Sequence, residues 1–163
     1  MRLAIFYLTL FLLQAFTGAV AGDAPAPDFF LIAMLTLLGR IPLWQLLLAG
    51  YGVGLVQDLA GHGVLGVHAM GLAVAAYVAS IARGQMSGQG PLERLLVLLA
   101  AHAGKWAAFL LLIGWLAGPP PIWTDLGVTF LLEGLLTAAL GLLIVPWAHA
   151  LMDRGKVLAE DYL

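Results

Sequence analysis

A chain of 163 residues that is 63% hydrophobic and only 10% charged, with a mean hydropathy of +1.02, has too little polar surface to coat a soluble globule. This composition belongs to an integral membrane protein. A net charge of -2 gives no sign of a nucleic-acid partner or of a basic membrane-surface patch, and the absence of cysteine excludes a disulfide framework, a thiol nucleophile and thiolate metal ligands.

Apolar runs cover about 3–21, 29–40, 43–60, 64–82, 95–116 and 126–151, predicting an all-α protein with six transmembrane helices in one membrane domain, 1–163. A hydrocarbon core about 30 Å thick takes about 20 helical residues. The first run fits, although Arg2, its apolar stretch and Ala19, Val20 and Ala21 also match a secretory signal cleaved before Gly22. The second is short: at about 1.5 Å per residue, the stretch between Asp28 and Arg40 reaches only roughly 16 to 18 Å. Non-helical backbone through Ala24, Pro25, Ala26 and Pro27 is expected to complete that crossing, shielded by protein, with Arg40 snorkelling outward.

The third and fourth runs enclose a polar hairpin, Gly54 to Ala69, that holds Asp58, His62 and His68. Gly61 and Gly63 suit a tight reversal, and Asp58 is expected to cap a helix or turn by accepting backbone N–H bonds. Gly50 and Gly54 form a GxxxG pair expected to pack inside the bundle. After the fourth run comes the one aqueous loop, Arg83 to Arg94, where Pro91, Leu92, Glu93 and Arg94 read as a helix start.

In the fifth run, Ala100, Gly104 and Ala108 make a second small-residue stripe, beside which His102 reads as a hydrogen-bonded interior histidine. Lys105 of the fifth run and Glu133 of the sixth fall at matching depths, about 16 and 12 Å from opposite faces. An isolated charge at mid-membrane costs on the order of 3 kcal/mol, so the two are expected to form an intramembrane ion pair.

Charge orients the bundle. A six-span count puts Arg2, Arg40, Arg83, Arg94, Arg154 and Lys156 on one side and Asp23, Asp28, Asp58 and Asp125 on the other, which predicts cytoplasmic termini. No GxSxG elbow, HExxH or phosphate-binding loop is present, and three polar groups in one hairpin make a poor metal or catalytic set. A non-enzymatic protein without cofactor or metal is expected.

Pro27, Asp28, Phe29 and Phe30, then Arg40, then Gly54 and Leu55 with Asp58 and Leu59, then Leu65 and Gly66 with His68 and Ala69, resemble the MreD family of bacterial rod shape-determining proteins over about residues 27 to 83. The resemblance implies a multi-pass protein of the bacterial inner membrane that belongs to the cell-elongation complex, or elongasome. It also implies association with MreC and, through it, with MreB, RodA and RodA's partner transpeptidase. The implied fold is similar to the six-helix substrate-binding subunits of energy-coupling-factor vitamin transporters, and such a subunit is the alternative function. On the scaffold reading, Pro27, Asp28, Asp58 and His68 shape the partner-binding surface for MreC.

Overall fold

The computed structural model describes residues 2–22, 24–61, 64–86, 88, 90–116 and 123–160, apart from the side chains of 123–125 and 154–160. Asp23, His62 and Gly63, and the side chains of Asp125, Arg154 and Lys156, lie outside the described residues. Within them the chain forms α1 (Arg2–Ala21), α2 (Phe29–Leu35), α3 (Leu43–Ala60), α4 (Val67–Gly84), α5 (Pro91–Leu116) and α6 (Trp123–Glu160), with no strand among the described residues. The helices α1, α4 and α5 and the Leu126–Asp153 part of α6 are long and apolar enough to cross a membrane.

Short α2 occupies the centre of the bundle. All seven of its residues are buried, and it packs against each of the other five helices. A helix that is apolar on every side needs neighbours on every side. Asp28 caps its start by accepting from the Leu31 N–H at 2.9 Å. At its far end the Arg83 guanidinium donates to the Leu38 carbonyl at 2.8 Å, and the His149 ring donates to the Thr36 carbonyl at 3.0 Å. Gly39, at φ +74°, turns the chain away, and a Cβ there would collide with the Arg83 guanidinium.

Contacts along α2 fix its height. Its first amide, Phe29 N–H, donates to the Gln14 side chain at 2.7 Å, and the Asp28 N–H donates to the Thr137 hydroxyl at 2.9 Å. Gln14 and Thr137 lie well inside their helices, so α2 begins at mid-bundle. Thr36, just past its other end, hydrogen-bonds Tyr7 at 2.9 Å, near the start of α1. The helix therefore fills one half of the bundle, and residues 25–28, which have no regular structure, occupy the route to its start. Buried Asp28 ends that route, in keeping with the expected inward dip of the proline segment.

Arg40 closes this end with a two-pronged pair to Asp153, one arm of it at 3.0 Å.

Small residues govern the α3–α4–α5 packing. Ala69, Gly71, Ala75, Ala76 and Ala79 are buried on α4. A Cβ on Gly50 would lie 2.9 Å from the Leu72 carbonyl oxygen, and one on Gly54 would run into the Ala69 Cα and the His68 carbonyl. Gly104 lies equally close to Val78, where a Cβ would stand 2.9 Å from a Val78 methyl. The closest approaches of Gly50, Gly54 and Gly104 thus all fall on α4. By contrast α1 packs mainly on α2 and α6 among the described residues, and leaves Leu8, Leu12, Phe16 and Val20 exposed.

Candidate functional site

Two polar assemblies stand inside this apolar frame, one at the α3–α4 hairpin and one at mid-bundle. At the hairpin, α4 starts on Gly66, whose φ of +95° is left-handed and which has no side chain with which to cap. The cap comes from another helix. Asp58, its side chain fully buried on α3, accepts from the Gly66 N–H at 2.8 Å, the His68 N–H at 3.0 Å and the Ala69 N–H at 3.1 Å. Its Oδ1 also accepts from His68 Nδ1 at 2.8 Å. A carboxylate among the first amides of a helix has both their hydrogen bonds and the favourable end of the helix dipole.

The expectation that Asp58 binds backbone N–H groups is met, while the turn chemistry differs from that expected. Gly61, at φ -92°, adopts ordinary backbone, and Gly66 is the hairpin residue in the left-handed region among those described.

At mid-bundle the Lys105 ammonium donates to Asp28 Oδ2. The direct partner is therefore Asp28, in place of the expected Glu133. The reason is the depth of α2: because the proline segment descends to mid-bundle, the Asp28 carboxylate arrives at the height of Lys105 and is buried with it. Glu133 lies nearby, beside the Trp106 indole and 4.0 Å from His102 Nδ1. His102 donates from Nε2 to the Phe130 carbonyl at 3.0 Å and stacks on the Phe130 ring, as an interior histidine.

A cavity of about 180 Å³ connects the two assemblies, lined by Gln57, His68, Lys105, Trp106, Phe109 and Glu133. Its aromatic wall is continuous: the Phe109 ring lies 5.6 Å from His68 and 5.8 Å from Trp106. Gln57 Oε1 is buried and has no hydrogen-bond partner among the described residues.

Of the four residues expected at a partner-binding surface, Asp28 and Asp58 are buried and internally bonded, whereas Pro27 and His68 keep accessible area. Gln57, Trp106, Phe109 and Thr137 are the site residues that sequence reasoning passed over. Gln57 had a signal, a second polar side chain beside Asp58 in an apolar run. The others did not, since an aromatic residue or a threonine in a membrane helix is unremarkable by composition. Among the described residues no three His, Asp or Glu side chains converge as metal ligands. No protein-family model, curated protein or solved structure matches the chain.

Proposed function

We propose that the chain is a non-enzymatic membrane scaffold of the MreD kind, which holds MreC in the bacterial inner membrane and through it supports cell shape and peptidoglycan synthesis. On this reading it crosses the membrane six times with cytoplasmic termini, the proline segment and α2 together making the second crossing. MreB, RodA and its partner transpeptidase are reached through MreC.

The observation that carries this reading is the use made of Asp28 and Asp58. Both lie in the segment of the resemblance, and both hold backbone: Asp28 caps α2, and Asp58 caps α4 from α3. Carboxylates committed to helix termini build a rigid frame and are unsuited to acid–base chemistry. The hairpin that Asp58 shapes exposes Leu59, Val64 and Leu65 beside accessible His68, and the outer side of α1 offers an apolar face for a transmembrane helix.

One observation favours the second reading, a substrate-binding subunit of an energy-coupling-factor vitamin transporter: the cavity beside the hairpin. Its volume of about 180 Å³ is below the roughly 300 Å³ at which pockets for drug-sized ligands begin, which weighs against a vitamin. Affinity purification from native membranes with and without Asp58→Ala, run beside a thermal-shift panel of vitamins, separates the two. MreC recovered with the wild-type chain and depleted with the variant supports the scaffold; a vitamin-dependent shift without MreC supports the transporter subunit.

A further inference from the structure

The cavity between the hairpin and the mid-bundle ion pair has a lining more specific than its size. Gln57 Oε1 is a buried acceptor without a donor among the described residues. His68 donates a hydrogen bond from Nδ1–H to Asp58, an arrangement in which Nε2 of a neutral ring is an acceptor. Glu133 adds a carboxylate whose side chain is 18% exposed. Three acceptors on three helices thus line one cavity, backed by the rings of Trp106 and Phe109.

Charge points the same way. Asp28 pairs with the Lys105 ammonium, and among the described residues Glu133 has no cation in salt-bridge contact except His102 at 4.0 Å. Asp28 and Lys105 neutralise one another, which leaves Glu133 as a carboxyl inside the bundle with no full salt bridge of its own among the described residues. An unpaired charge there is costly, and a cation brought to Glu133 offsets it.

The geometry points to a binding site for a primary ammonium group, its three N–H bonds directed to Gln57 Oε1, His68 Nε2 and the Glu133 carboxylate, and its charge set against the Trp106 and Phe109 rings. Aromatic faces beside a carboxylate stabilise a cation doubly, by the ring quadrupole and by a charge-assisted hydrogen bond. The volume suits an aminoethyl compound. Ethanolamine presents this chemistry as a free solute, and phosphatidylethanolamine presents it as a headgroup reaching in from the bilayer. The site does not depend on MreC, so its failure and that of the scaffold reading are separate results.

The test uses the purified full chain in nanodiscs of pure phosphatidylcholine, whose quaternary headgroup has no N–H to donate. Ethanolamine and propylamine, titrated at constant ionic strength, are expected to raise the thermal midpoint saturably, whereas tetramethylammonium and ethylene glycol leave it unchanged. Glu133→Gln and Gln57→Leu are each expected to weaken the apparent affinity about tenfold, the effect of one charge-assisted or buried hydrogen bond. In nanodiscs containing phosphatidylethanolamine, a midpoint already raised and indifferent to added ethanolamine assigns the ammonium to the lipid; a response equal to that in phosphatidylcholine assigns it to a soluble amine. Should Glu133→Gln fail to fold, the wild-type ligand series decides alone. No saturable shift with any primary amine in either lipid, or an equal shift with tetramethylammonium, overturns the site.

Discussion

The Lys105 ammonium meets the Asp28 carboxylate across 77 residues of sequence, and the same carboxylate caps the half-length helix α2. One group thereby fixes the start of α2 and neutralises the cation on α5. Removing either partner strands a buried charge, at a cost of about 3–5 kcal/mol. Lys105→Met and Asp28→Asn are each expected to lower stability in detergent by about that amount, and the double variant is expected to be no worse than the poorer single one. Asn keeps a capping oxygen, so the cycle reports the pair and not the cap. Reversible unfolding in mixed micelles measures it, and strict additivity would show that the charges do not interact.

Asp58 is the second device of this kind, one carboxylate serving three amides at the start of a neighbouring helix. Asp58→Ala leaves those donors without their acceptor, at about 1–3 kcal/mol for each that stays buried. Hydrogen exchange of the Gly66, His68 and Ala69 amides is expected to accelerate in this variant. Asp58→Asn, which retains one acceptor oxygen, is expected to fall between wild type and Ala. Unchanged exchange at all three amides would refute the cross-helix cap.

The close approach of α3 and α4 predicts an asymmetric glycine scan. Gly54→Val places a Cβ against the Ala69 Cα and the His68 carbonyl, backbone that cannot give way without parting the helices, whereas a Cβ at Gly52 meets no atom within 4 Å. The first is expected to cost about 1–3 kcal/mol or more as overpacking, and Gly52→Ala to be neutral or to stabilise by several tenths of a kcal/mol. Thermal midpoints of the two purified variants provide the comparison, and equal midpoints would contradict the packing described.

Much of the fold was legible in hydropathy. The run at 43–60 coincides with α3, and Pro91 and its neighbours do open α5. The hairpin carboxylate was legible for a physical reason: a polar group in an apolar run must find partners, and backbone amides at a chain reversal are the nearest ones. The partner of Lys105 was not. Counting residues from a helix end gives height but not rotation, and it says nothing of a proline-rich segment that follows no helical period. Asp28 therefore read as a residue of the membrane rim, when the chain carries it to mid-bundle. The cavity was hidden for the same reason, since it depends on how α3, α4, α5 and α6 are rotated toward one another.

The scaffold reading places MreC against the hairpin that Asp58 holds in shape. A photo-crosslinking amino acid at position 65, where Leu65 is 63% exposed, probes that contact in living cells without disturbing the buried network. An ultraviolet-dependent adduct with MreC is expected, and it is lost when Asp58→Ala is added while the chain still inserts and folds. An inserted, folded chain that gives no MreC adduct from position 65 or from the exposed Leu12 and Phe16 positions of α1 would contradict it.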